Sequence, residues 1–146
     1  MSNHCFSADL ELTFTTKYPK AGELHIQLFN LGIPIEGKYE WQNIQAISSH
    51  AFTMTAARND STFTLKNIAP RSLCLRAFLD LNANQVLDKS AMGLPKEPVG
   101  LANNPALMFG EPSPDKACFE IQEKDNRQDI ALREKKPKKS SYTNPR

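Results

Sequence analysis

No short motif in this sequence assigns a chemical reaction. The sequence contains no G-x-S-x-G nucleophile elbow, no H-E-x-x-H zinc motif, no P-loop and no G-x-G-x-x-G dinucleotide pattern. Its three histidines, His4, His25 and His50, are far apart, and strand alternation predicts outward-facing side chains for His25 and His50. No spacing pattern brings a pair of carboxylates together on a substrate. We therefore expect a protein that is not an enzyme.

Cysteine is scarce, with three residues in the chain, Cys5, Cys74 and Cys118. None of them belongs to a C-x-x-C pair, which argues against a zinc ribbon or a redox dithiol. Cys74 and Cys118 lie within predicted strands, where burial as small hydrophobic residues is the first expectation. One disulfide bond with one remaining thiol is the alternative.

Long apolar runs are missing as well. No stretch approaches the ~18 to 20 apolar residues of a transmembrane segment. The first residues, MSNHCFSADLEL, have no basic segment followed by an apolar one, so we expect no signal peptide in them. Read literally, the chain stays in the compartment of its synthesis. Removal of an export signal ahead of this sequence is the alternative.

The excess of positive charge is confined to the C-terminal end. The net charge is +2, but six of the 18 basic residues and only one of the 16 acids lie from Arg133 onward. This charged, proline-containing end predicts a disordered basic tail over residues 134–146, after a flexible start over residues 1–7 and one domain over residues 8–133. No nucleic-acid partner is expected. Binding of the tail to nucleic acid or to an anionic membrane is the alternative.

What the sequence does contain is alternation of apolar and polar residues in short segments, which is typical of half-buried strands. Residues 8–16 and 22–30 alternate most clearly, and the YPKAG turn between them predicts a hairpin. Residues 50–57 and 62–66, joined by the turn residues RNDS, predict a second hairpin.

Three further segments complete the predicted strands. Residues 71–80 carry apolar side chains on both faces, which predicts a central strand, and residues 116–122 and 127–133 close the domain. Residues 31–49 are less regular; they predict one or two helical turns, with Trp41 capping one edge of the core. About seven short strands without a long helix predict an all-β fold, an antiparallel two-sheet sandwich of immunoglobulin-like or transthyretin-like type.

The loop that follows the central strand has oxygen-bearing side chains at every second position. A loop with ligands at positions 1, 3, 5 and 9 and a backbone carbonyl at position 7 surrounds Ca²⁺, which takes roughly six to eight oxygens. The candidate metal ligands are Asp80, Asn82, Asn84, the carbonyl of Val86, and Asp88.

Two positions of this loop depart from the calcium-binding pattern. Position 6 is Gln85 where glycine is usual, and position 12 is Ala91 where a glutamate is usual, although Glu97 could fold back toward the loop. We therefore expect weak Ca²⁺ binding at most. The departures favour the ion-free alternative, a turn in which Asp and Asn side chains bond to backbone amides.

The same region carries a resemblance to a known family. Residues 71–133 resemble the bacterial DUF2141 family, whose pattern has a strand ending in Asp, an Asn-rich loop closing on Asp, a Gly-x-Pro-x-Glu segment and a Gly-to-Asn-Asn run. The matching positions are Asp80, Asn82, Asn84, Asp88, Gly93, Leu94, Pro95, Glu97, Gly100, Leu101, Ala102, Asn103 and Asn104. The departures are Gln85 for glycine and Leu101-Ala102 for Phe-Ser. The resemblance implies an exported β-sandwich protein with a periplasmic or extracellular location, and it implies no reaction.

These observations lead to one functional expectation and two alternatives. We expect a non-enzymatic binding or scaffolding module of the bacterial cell envelope, with a protein or envelope partner and a long ordered Asp/Asn loop, for which a weakly bound Ca²⁺ is the candidate ligand. A metal-assisted hydrolase that uses Asp80, Asp88 and Glu97 around an ion is the first alternative. A structural or interaction protein without an ion, in which the loop only packs, is the second. Independently of these alternatives, we expect Asn103 and Asn104 to satisfy buried backbone groups at the end of the long loop.

Overall fold

The alternating segments of the sequence form the strands of a computed structural model that describes residues 7–17, 19–91, 95–107 and 111–134. These residues contain eight strands and two 3₁₀ turns, and no α-helix. The strands are β1 Ala8–Thr16, β2 Gly22–Asn30, β3 Gln45–Met54, β4 Asp60–Ile68, β5 Ser72–Asp80, β6 Val99–Leu101, β7 Cys118–Glu120 and β8 Asn126–Leu132. The 3₁₀ turns are Trp41–Asn43 and Pro114–Ala117.

The strands form two sheets. The three-stranded sheet has the order β4-β1-β8, and the five-stranded sheet has the order β3-β2-β5-β6, with β7 also pairing with β5. All pairs are antiparallel except β1 with β8, which is parallel. The two-sheet sandwich is confirmed, and so is the central place of the strand that ends at Asp80.

Both predicted hairpins are wrong, because the two strands of each predicted hairpin, β1 with β2 and β3 with β4, belong to opposite sheets. β1 pairs with β4, and β2 pairs with β3 and β5. Alternation identifies the apolar face of a strand but carries no information on its neighbours, so it cannot tell a hairpin from two strands in opposite sheets. The segment from Gln45 onward is also a strand where helical turns were expected, and the helical part is confined to Trp41–Asn43.

The main core lies between the two sheets. Leu12 and Phe14 of β1 are fully buried against Leu24 and Ile26 of β2 and Leu75 of β5. Each such side chain contributes about 1.5–3 kcal/mol when it leaves water. His50 lies in register with Ile26, and Ser48 lies in register with Leu28, so both face the core side of the five-stranded sheet. The predicted outward orientation of His50 is therefore wrong.

The second face of the five-stranded sheet is covered by loops. A smaller buried group, here called the outer cluster, consists of Phe29, Trp41, Cys74, Phe78, Val99, Leu101 and Ala117. Trp41 is buried here, and its indole N–H donates to the carbonyl of Pro112 at 2.8 Å. The guanidinium of Arg76 lies 4.9 Å from the Trp41 ring and bonds to both carboxylate oxygens of Glu111 at 3.2 Å. Arg76 thereby fastens two covering loops to β5.

A disulfide bond crosses from β5 to β7. Cys74 and Cys118 are directly opposite each other in the strand pair and are covalently joined. The expectation of two free buried cysteines is wrong, and the alternative of one disulfide is what the structure has. Cys5, His4, the predicted tail from Lys135 onward, and Gly93 and Leu94 of the family pattern lie outside the described residues. No helix in the described ranges is long and apolar enough to cross a membrane.

Candidate metal site

The candidate site is the loop that begins where the buried strand β5 ends. Asp80 is the last residue of β5, and its side chain has no exposed surface. Residues 81–86 are exposed, so the chain changes from a strand buried on both faces to a solvent-facing coil within one residue. This change fixes the first candidate ligand in the protein while the next ones face water.

The carboxylate of Asp80 organises the turn through one of its two oxygens. Oδ2 accepts the backbone N–H of Gln85 at 2.7 Å. Burial would raise the pKa of Asp80, but the nearby backbone N–H groups of Gln85, Asn84 and Asn82, together with the charge of His25, outweigh burial and lower that pKa. Oδ1 is buried and has no hydrogen-bond partner among the described residues. An ionised carboxylate with one unpaired buried oxygen is an arrangement that a cation stabilises.

Three other candidate ligands, Asn82, Asn84 and Asp88, are joined to one another by hydrogen bonds. The side-chain amides of Asn82 and Asn84 donate to the two oxygens of Asp88, at 2.7 and 2.8 Å. The side-chain oxygens of Asn82 and Asn84 accept the backbone N–H groups of Asn84 and Val86, at 3.3 and 3.1 Å. The loop is therefore a series of Asx turns closed on Asp88, which is the arrangement expected of the ion-free alternative.

Left-handed backbone conformations shape the coil. Ala83 has φ 61° and Gln85 has φ 64°, so the residue at position 6 takes the conformation that glycine takes most easily. The lack of glycine at Gln85 had counted against a calcium-type loop, but the turn forms without it. A left-handed conformation costs a non-glycine residue about 1–2 kcal/mol, which the bond from Gln85 to Asp80 helps to offset.

Val86 is the candidate for which the structure gives least support. Its side chain is 59 % exposed, and its backbone N–H donates to Asn84 as described above. A carbonyl ligand needs no particular side chain, so an exposed Val86 is compatible with the predicted role and adds nothing specific to it.

Glu97 folds back onto the loop, as the sequence allowed. It is buried, and its two carboxylate oxygens accept the backbone N–H groups of Leu81 at 2.8 Å and Asp88 at 3.2 Å. The backbone N–H of Lys96 also donates to the carbonyl of Asp88 at 2.8 Å. Glu97 thus ties together the first and last parts of the candidate site, and it does so through hydrogen bonds to backbone amides.

Two neighbours of Asp80 were not predicted. The Nε2 atom of His25 lies 3.5 Å from Oδ2 of Asp80 and 3.3 Å from Oε1 of Glu23. The His25 ring stacks on Phe78, with the ring centroids 5.0 Å apart. This placement follows from the register of β2 on β5, in which Glu23 is opposite Asp80. The sequence carried no signal for it, because the pairing of these two strands could not be deduced.

The carboxylates of the hydrolase alternative do not form a metal centre. Within the described ranges, no group of three or more His, Cys, Asp or Glu side chains is placed to hold a metal ion. A cavity of about 480 Å³ borders the loop and is lined by Leu81, Asn82, Asp88, Lys89, Lys96 and Glu97. Of the candidate ligands, Asn82 and Asp88 line this cavity, and Asp80 does not.

The asparagine pair beyond the loop satisfies backbone groups, as expected. Asn103 donates to the carbonyl of Cys118 at 2.9 Å. Asn104 donates to the carbonyl of Asp129 and accepts the N–H of Ala131, both at 2.9 Å. The pair therefore attaches the end of the long loop to β7 and β8.

The fold and the loop define a class of protein, an all-β two-sheet sandwich with an ordered Asp/Asn loop at the end of its central strand. The family described as "Uncharacterized protein conserved in bacteria (DUF2141)" matches residues 18–129, and the chain belongs to this family. The match extends the expected resemblance from the C-terminal half to β2, β3 and β4. No curated protein and no solved structure matches the chain.

Proposed function

We propose that the protein is a non-enzymatic binding or scaffolding module of the bacterial cell envelope, whose loop over residues 80–88 binds Ca²⁺ weakly. The observation that supports a bound ion is the difference between the two carboxylate oxygens of Asp80. One oxygen takes the backbone amide of the turn, while the other is buried without a partner in the described part of the chain. A bound cation would supply that partner.

The remaining ligands set the strength of binding. Asp80 and Asp88 supply two formal negative charges, and Asp88 already accepts hydrogen bonds from Asn82 and Asn84. An ion at Asp88 competes with those two bonds and must turn the amide oxygens toward itself. We therefore expect a dissociation constant on the order of 10⁻⁴–10⁻³ M, as in weak extracellular modules.

The disulfide supports a location outside the cytoplasm. Disulfide bonds persist in the periplasm and outside the cell, whereas cytosolic reductants keep most thiols reduced. Cys74 has no exposed surface, so the bond to Cys118 is part of the packed outer cluster. This agrees with the location that the family resemblance implies.

Thermal unfolding with and without Ca²⁺ tests the ion. At a free concentration ten times the dissociation constant, a ligand that binds only the folded state stabilises it by about 1.4 kcal/mol. We expect a rise in Tm with Ca²⁺ over EDTA in the original protein, and none in Asp80→Asn. Asp129→Asn, an exposed aspartate outside the loop, is the matched control and should keep the full rise.

The absence of a Tm shift at about 10 mM Ca²⁺ would reject the proposal that the loop binds Ca²⁺, because this concentration is well above the weakest dissociation constants of such modules. An equal shift in Asp80→Asn would place the ion elsewhere. The location is tested separately by fractionating cells that make the protein and alkylating free thiols before mass measurement. We expect the protein in the envelope fraction, with Cys74 and Cys118 unmodified; recovery in the cytosol with both residues alkylated would reject the proposed location.

A further inference from the structure

The outermost strand of the five-stranded sheet offers an edge for another strand. β3 runs for 10 residues, Gln45–Met54, and pairs with β2 along one side. No other strand among the described residues pairs with its second side. An exposed edge of this length presents a row of backbone N–H and C=O groups to any strand that can pair with it.

β3 lacks two of the features that usually prevent such pairing. Edge strands are commonly protected by charged side chains or proline, and β3 has neither along its whole length. The long edge strands of the other sheet are different. β4 carries Asp60 and Lys66, and β8 carries Arg127 and Asp129. The end of β8 is also covered by paired backbone bonds between Val99 and Arg133, both 2.9 Å.

The regular part of β3 has a defined midpoint. Its register with β2 is uninterrupted from Met54 to Ser48, and it shifts between Leu28 and Phe29 of β2 because Ile47 is an extra residue. The regular run Ser48 to Met54 is therefore centred on Ala51, whose side chain is exposed. A small exposed residue at the centre allows two copies of the strand to approach each other closely.

We propose that β3 pairs antiparallel with β3 of a second copy of this chain, about a two-fold axis at Ala51, and so joins two five-stranded sheets edge to edge. In this register Ser49 is opposite Thr53 of the second copy on the outer face, a pair of hydroxyl side chains. His50 is opposite Phe52 on the core side, an aromatic pair. No charged residue meets a like charge anywhere along the run, which is what self-pairing requires.

The contact is one strand wide on each side, so it belongs to the small and weak class of interfaces. We expect a reversible monomer–dimer equilibrium that sedimentation velocity resolves between about 10 µM and 1 mM protein. Because the axis passes through Ala51, one substitution places two like charges beside each other. Ala51→Lys and Ala51→Glu should each be monomeric over this range.

A mixture of the two variants provides the decisive measurement. Lys at position 51 of one chain then faces Glu at position 51 of the other, so an equimolar mixture should form a heterodimer that neither variant forms alone. Both substitutions are at an exposed position, and equal far-UV circular dichroism shows that the variants are folded. Thr64→Lys, which adds the same charge at an exposed position of β4, is the matched control and should dimerise like the original protein.

Three results would overturn the proposal. The first is an original chain that remains monomeric up to about 1 mM, where even weak interfaces associate. The second is a dimer that persists in Ala51→Lys. The third is a mixture of the charge variants that stays monomeric. A dimer that Thr64→Lys abolishes would move the contact to β4. None of these results depends on Ca²⁺, so the experiment is read separately from the ion-binding test.

Discussion

At the scale of single residues, Gln85 is held in a conformation that its side chain disfavours. Its φ of 64° is in the left-handed region, and its N–H is needed by Asp80. Gln85→Gly keeps that N–H and removes the steric cost of about 1–2 kcal/mol, while adding about 0.5–1 kcal/mol of chain entropy to the unfolded state. We expect a net gain of about 0.5–1 kcal/mol in the free energy of unfolding, measured with urea.

The same substitution elsewhere gives the control. Gln122 is also exposed and in a loop, and it is not among the described residues with positive φ. Gln122→Gly should lower the free energy of unfolding by about 0.4–1 kcal/mol, because only the added chain entropy of the unfolded state remains. If both variants lose stability equally, the left-handed conformation of Gln85 is not the determinant.

His50 makes a residue-scale prediction about pH. It faces the core side of β3 beside Ser48, whose hydroxyl lies 3.1 Å from Nε2, and burial lowers the pKa of His50 below its ordinary value. The unfolded chain therefore binds a proton at higher pH than the folded one. The stability that neutral His50 contributes is complete above about pH 6.5 and is lost as the pH falls toward the folded pKa.

Urea unfolding at pH 7.5 and 5.5 measures this loss. The original protein should lose more stability on acidification than His50→Gln, which keeps a polar group beside Ser48 but cannot titrate. Equal losses in the two proteins would show that His50 does not couple protonation to folding.

At the scale of elements, the loop depends on Glu97 for its closed shape. Its carboxylate accepts the amides of both Leu81 and Asp88 from a buried position. Glu97→Gln replaces one accepting oxygen by an NH₂ group, which then faces an N–H donor. We expect a loss of about 1–3 kcal/mol in unfolding free energy and faster hydrogen exchange at one or both amides.

The control is a glutamate without such bonds. Glu123 is exposed, and Glu123→Gln should change stability by no more than about 0.5 kcal/mol. Unchanged exchange at Leu81 and Asp88 in Glu97→Gln would contradict the role assigned to this carboxylate.

The elements also show what the sequence can and cannot predict. Alternation located β1 and β2 at their observed bounds and β5 with one extra residue at its start, because burial of one face selects that period. It could not choose neighbours, since Leu24 packs equally well beside any strand with a matching face; β2 in fact lies between β3 and β5. The three-residue strand β6 is too short to show a period at all.

The contacts of the candidate site are likewise of two kinds, those that the sequence can predict and those that it cannot. The spacing of Asn82, Asn84 and Asp88 selects side chains that the structure joins by hydrogen bonds, because that information is local. His25 meets Asp80 through strand pairing, and the closing role of Glu97 depends on how the backbone returns between residues 88 and 97. These contacts are tertiary, so no spacing in one sequence could predict them.

At the scale of the whole molecule, β6 connects the two sheets at one side of the sandwich. It pairs with β5 through Gly100 and Ala77, and Val99 exchanges backbone bonds with Arg133 just beyond β8. A Cβ atom at Gly100 would lie 2.6 Å from Cγ2 of Ile130. The sheets can therefore approach here because position 100 has no side chain.

This predicts that Gly100→Ala destabilises the protein by overpacking, at a cost of about 1–3 kcal/mol. Ile130→Leu removes the branched methyl group that the new Cβ would meet, so the double variant should recover part of the loss. In urea unfolding, the double-mutant cycle should give a coupling of about 0.5–3 kcal/mol. Gly32→Ala is the contrasting control: its Cβ would meet nothing within 4 Å, but its φ of +66° makes alanine strained. Its cost should be unaffected by Ile130→Leu, because the strain is local to the backbone. A coupling near zero between positions 100 and 130 would mean that Ile130 does not take up the clash, and it would contradict the close approach assigned to this pair.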